Sequence, residues 1–173
     1  MSTSVHMPRM SGRVGALLAC LVAGSLAPRG AVQATDPSNF ASDVASARGV
    51  AEINIKSLSP THKVRLNTLG GGPSNVHVAI NTVGPGGHSG WHTHPGPSFV
   101  IVKSGTATVY DGDDPTCTPR VIEQGGWFTD PGGGHVHLVR NETPVNLVLA
   151  AFQIVPATEE RRIDAPSPGF CGF

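Results

Sequence analysis

The feature that most constrains the fold is punctuation. After residue 50 no stretch keeps a helical period, and short apolar β-forming bursts are cut apart by Gly- and Pro-bearing turns. The bursts are Ala51–Leu58, Val64–Leu69, Val76–Val83, Ser98–Lys103, Thr106–Tyr110, Arg120–Glu123, Gly126–Thr129, His135–Arg140 and Val145–Val155. Several alternate: in AEINIKSL, Ile53 and Ile55 face one way and Asn54 and Lys56 the other. Between them lie GGGPSN, GPGGHSG, KSG, DGDDP and DPGGG, all turn chemistry. This spacing predicts an all-β, antiparallel sandwich or barrel over residues 51–156. A polar, Ala/Ser-rich lead-in at 35–50 has room for one short helix starting near Pro37, and residues 157–173 read as a C-terminal tail. No fixed-period repeat and no second domain is visible.

Composition narrows the function classes. The 173 residues suit one domain, and 39% hydrophobic content allows a buried core. Charged residues are only 14%, below the roughly 25% usual for soluble domains. Twelve basic and twelve acidic residues balance, and no Lys/Arg run occurs. That disfavours nucleic-acid binding through phosphate neutralisation, and excludes a long charged tail or a coiled coil.

The first 34 residues read as a secretory signal peptide. Arg9 and Arg13 precede an uncharged run, Val14 to Ala27, and Ala31 to Ala34 (AVQA) supply a small-residue cleavage site. The run is shorter than the ~20 apolar residues of a membrane span, so no stable span is expected. Export to the periplasm or outside the cell is the expected address, with lipid attachment at Cys20 in LLAC as the minor alternative. The mature chain keeps nine basic and twelve acidic residues and two cysteines, Cys117 and Cys171. In an exported protein an even pair reads as a disulfide tying the tail to a loop; two free thiols are the alternative in a reducing compartment.

The histidines carry the chemical signal. Seven remain after residue 34, and five fall between 88 and 137. In WHTHPGPSF, His92 and His94 are two apart, so on a strand both imidazoles face one side and can reach one metal. In DPGGGHVHLVRN, His135 and His137 repeat the spacing.

At these residues the sequence resembles the cupin superfamily over roughly residues 75–155. The first cupin motif is met by Gly86 or Gly87, His92, His94 and Gly105; the second by Gly125, Pro131, Gly133, His137 and Asn141. The resemblance implies a jelly-roll β-barrel holding a divalent metal. Two departures stand out. The family's Glu falls at or near Ser98, with no acid between His94 and Gly105. The stretch from Pro131 to His137 is one residue longer than the family's pattern, so His135 and His137 compete for the ligand role. Asn141 at its usual offset favours His137, with His135 a fourth ligand or a neighbour of the ligand set.

An imidazole set suits Zn, Cu, Fe or Ni, while a carboxylate would have favoured Mn. Without it the metal keeps its charge and attracts an anionic or oxygen-bearing small molecule. Oxygenase- or isomerase-like chemistry follows by resemblance, and a non-catalytic ligand- or metal-binding module is the alternative. His135 or His88 is the expected proton carrier, and Trp91 and Trp127 are candidates for the pocket wall or for core packing. A homodimer is left open. Asp111, Asp113 and Asp114 hint at a calcium loop, but the twelfth position is Ile122, so a hairpin turn is expected. No acid neighbours the His cluster in sequence to orient Ser98 as a nucleophile.

Overall fold

The computed structural model describes residues 33–173, so the signal-peptide reading and Cys20 lie outside the described residues. Twelve strands occur and no helix among these residues. They are β1 (Ser38–Val50), β2 (Asn54–Leu58), β3 (Lys63–Asn67), β4 (Ser74–His88), β5 (His92–Thr93) and β6 (Ser98–Ser104). The rest are β7 (Thr106–Asp111), β8 (Arg120–Glu123), β9 (Trp127–Asp130), β10 (His137–Arg140), β11 (Leu147–Pro156) and β12 (Ile163–Asp164).

Every pairing is antiparallel, and ten strands form one nearly closed barrel sheet. One face runs β1-β4-β11-β6-β9 and the other β12-β5-β10-β7-β8, joined where Arg140 of β10 meets His88 of β4. β2 and β3 pair only with each other, as a hairpin beside the barrel. The lead-in expected to hold a helix is instead strand β1, registered along β4 from Phe40↔Val83 to Val50↔Ser74. Its Ala and Ser side chains set no period of their own, and the ladder to β4 decides the conformation.

Alternation builds the core. On β6, Ser98, Val100 and Val102 point inward while Phe99 and Ile101 are exposed, and on β11 Leu147, Leu149, Ala151 and Gln153 do the same. Val100, Val102, Leu147, Leu149 and Ala151 pack with Ala79, Val83, Val109, Phe128 and Val139 in the main apolar cluster. Each fully buried Val or Leu contributes roughly 1.5–3 kcal/mol. Asn141 is 0% exposed and closes the β10–β11 turn: Nδ2 donates to the carbonyls of Val83 (2.8 Å) and Val145 (2.7 Å), and Oδ1 accepts from the Thr143 amide and hydroxyl.

The tail is part of the structure. β12 pairs with β5, Ala165 is buried, and Cys171 is bonded to Cys117 with 5.5 Å between the Cα atoms. The Asp111–Asp114 segment is a turn, not an ion loop: both Asp114 carboxylate oxygens accept from Thr116 and Thr118.

Candidate metal centre

His92 on β5 pairs directly with His137 at the start of β10, and His94 lies one residue beyond β5. The three rings converge: centroids are 4.3 Å apart for His92–His137, 4.9 Å for His92–His94 and 5.6 Å for His94–His137. One ligand atom of each lies within 4.8 Å of the others, and all three residues are buried. His92 Nδ1 is 2.9 Å from the Gly90 carbonyl and His94 Nδ1 is 2.6 Å from the Arg161 carbonyl. A carbonyl only accepts, so each Nδ1 carries the proton and each Nε2 keeps its lone pair.

Two glycines fix this arrangement. Gly90 has φ +70°, and a Cβ there would run into the Thr35 carbonyl oxygen. Gly132 has φ +71°, and a Cβ there would strike the Gly96 carbonyl. The neighbouring Gly133 amide donates to the His94 carbonyl at 2.8 Å, which ties the two histidine stretches together.

Burial pushes His92 well below the usual imidazole range, aided by the nearby His137, and also lowers His94. Burial takes His137 down to about 4, against the opposing pull of Asp130. The rings are therefore neutral at pH 7, the form that binds metal.

His135 falls in a second group, with Asp130 and His137, rather than with His92 and His94. Its Nδ1 is 2.9 Å from Asp130 Oδ1 and its Nε2 is 3.6 Å from Asp111 Oδ1. Asp130 is the residue that sequence reasoning missed, and it corrects the expectation of no acid near the cluster. Only 2% exposed, it ends β9, and its signal was its place in TDPGGGHVH, five residues before His135.

Beside the three imidazoles lies a cavity of about 50 Å³ in the barrel interior. At ~10–15 Å³ per water, it admits only a molecule of a few non-hydrogen atoms. Ser98 lines it, and Gln153 Nε2 donates to Ser98 Oγ at 2.7 Å while Gln153 Oε1 accepts from Arg161 at 2.8 Å. Arg161 and Arg162 line it too, and Val100, Phe128, Val139, Leu149 and Ala151 are its apolar wall. Neither tryptophan walls it. Trp91 neighbours His92 on the opposite face of the strand and packs against Tyr110, Leu138 and Ala165, while Trp127 is 68% exposed. His88 does not line it either; its Nδ1 accepts from the Gly90 amide at 3.1 Å.

Residues 79–152 match the Cupin_2 cupin domain family. No curated protein matches the chain. Among solved structures, a Cupin 2 conserved barrel domain protein from Salinispora arenicola is 26% identical, with TM-score 0.40, covering 45% of this chain and 65% of that one. A cupin-like protein from Thermotoga maritima is 22% identical, with TM-score 0.43, covering 53% of this chain and 65% of that one. An oxalate oxidase is 20% identical, with TM-score 0.45, covering 70% and 54%. This chain thus spans less than two thirds of each. With the motifs, the antiparallel barrel and the family match all over the same stretch, residues 79–152 form a cupin domain.

Proposed function

We propose that the protein is a metallo-cupin in which His92, His94 and His137 hold one divalent metal, whose remaining positions take a small anionic or oxygen-bearing molecule. One observation carries this reading: His92 and His94 direct Nδ1 protons at backbone carbonyls, leaving their Nε2 lone pairs in a buried, neutral group with His137. Ligating histidines are held in this way by acceptors behind them. The donor set fits Zn, Cu, Fe or Ni better than Mn. When bound, such an ion supplies Lewis-acid or redox chemistry.

The chain's own groups select the ligand. Arg161 and Arg162 place positive charge at the cavity, Ser98 and Gln153 offer hydrogen bonds, and the apolar wall excludes water. The volume limits the ligand to a few heavy atoms. The wall itself carries no Asp, Glu, Lys, Cys or Tyr, and the nearest carboxylate, Asp130, stands behind His137 rather than on the wall. The ligating histidines are thus the only titratable imidazole or carboxyl groups that face the ligand. That favours oxidoreductase chemistry over a proton-shuttling isomerase, and it equally supports the second reading, a non-catalytic binding module. The Cys117–Cys171 bridge supports an oxidising, extracytoplasmic location.

Metal analysis of the purified, untagged protein tests the reading. His94→Ala is expected to remove one equivalent of metal, and a stoichiometric redox metal in the wild type selects oxidoreductase over binding module. Full retention of metal by His94→Ala overturns it.

A further inference from the structure

We propose that His137 serves two cations, its Nε2 completing the three-histidine set and its Nδ1 forming, with Asp130 and His135, a second divalent-metal site. The bridging part rests on the reading above; the Asp130–His135–His137 site stands on its own geometry.

Three observations carry it. Ligand atoms of Asp130, His135 and His137 lie within 4.8 Å of one another, a second such group sharing His137 with the first. Within it, His135 Nδ1 is 2.9 Å and His137 Nδ1 3.7 Å from Asp130 Oδ1. These bracket the ~3.3 Å separation of donors around a tetrahedral ion with bonds of ~2.0–2.1 Å.

Next, two polar atoms of this group are buried without a hydrogen-bond partner, His137 Nδ1 and Asp130 Oδ2. A plain His135–Asp130 hydrogen bond satisfies neither, whereas one cation between them satisfies both. The Asp130 carboxylate is almost fully buried, and its ion-pair partners among the described residues are histidines alone. A buried carboxylate with no lysine or arginine beside it calls for a compensating positive charge, which a bound cation supplies.

Finally, His135 is held as a ligand is held. With Nδ1 toward Asp130, its Nε2 faces the Asp111 carboxylate at 3.6 Å, and Asp111 is itself held by Arg120 at 3.1 Å. A carboxylate behind the far ring nitrogen is the usual support of a metal-binding imidazole. The His135 side chain is 24% exposed, which gives an ion a way in. When both sites fill, the His137 ring carries no proton, and the one displaced from it passes to solvent.

Zinc binding to the full-length, untagged chain tests this by equilibrium dialysis and elemental analysis. Wild type is expected to hold two equivalents, and His135→Ala and Asp130→Asn one each. His94→Ala should also hold one, kept at the Asp130 site. His135 is partly exposed, and its variant should keep the wild-type far-ultraviolet circular dichroism. A single equivalent in wild type, abolished by His94→Ala and untouched by His135→Ala, overturns the second site and leaves the proposed function standing. Loss on His135→Ala alone, with His94→Ala like wild type, supports the second site and overturns the first. With Cu²⁺ in both sites, coupling through the shared ring should hold the paramagnetic resonance signal below the copper content in wild type but not in His135→Ala. A full wild-type signal overturns the bridge.

Discussion

Ser98 on β6 and Asp130 on β9 are directly opposed, and both point into the barrel. The buried carboxylate of the centre thus comes from the strand next to the one where a cupin's Glu is expected. Ser98→Glu would set two carboxylates across one rung, a destabilising like-charge pair. It would also break the 2.7 Å bond from Gln153. The metal-free variant should melt below wild type by thermal circular dichroism, and divalent metal should recover more stability in the variant than in wild type. Equal melting temperatures without metal would show that the two side chains do not meet.

Asn141 satisfies four backbone or side-chain groups with one amide. Asn141→Ala leaves the Val83 and Val145 carbonyls without that donor in a buried turn. Each such loss costs roughly 1–3 kcal/mol, so urea unfolding should show a deficit of about 2–5 kcal/mol. A change under 1 kcal/mol would mean water replaces the amide.

The Cys117–Cys171 bridge closes a loop across a sequence separation of 54. Chain-entropy reasoning assigns such a loop about 4 kcal/mol of stabilisation. Cys117→Ser with Cys171→Ser should lower the unfolding free energy by about that much. Quantitative thiol labelling of the unreduced, denatured protein should find no reactive thiol at either position.

Low pH should destabilise the metal-free protein through His137. Its folded-state value, lowered to about 4 mainly by burial, lies below the ~6.5 of an unfolded imidazole. Between those values the unfolded chain binds the extra proton, so stability falls as pH drops from about 6.5 toward 4. His92 and His94, also lowered by burial, act in the same direction. Denaturation midpoints measured from pH 7 to pH 4 check the slope, and a flat profile for chelator-treated protein contradicts it.

Much of the barrel was legible because period-two alternation survives wherever one face is buried. Ser98–Ser104 and Leu147–Pro156 show it plainly. β1 was not legible, since Ala and Ser carry no alternation and its strand state comes from the ladder to β4. β5 and β12, at two residues each, are too short to show any period. The histidines His92, His94 and His137 stood out because side chains two apart share a face. Asp130 did not, because it sits on β9 in one face of the barrel and meets His137 of β10 from the other, and strand alternation does not encode a contact across the barrel. The carbonyl anchors at Gly90 and Arg161 belong to the backbone, where residue type says nothing.

The acceptor behind His94 is the Arg161 carbonyl, 67 positions later in the chain. A ribosome or an export channel releasing the protein from its N-terminus delivers His92, His94 and His137 well before that segment. Until it arrives, the His94 ring has no fixed tautomer and the cavity lacks Arg161 and Arg162. The centre therefore matures last, after the final strand has docked on β5. On the proposed reading, metal is taken up only once that docking is complete.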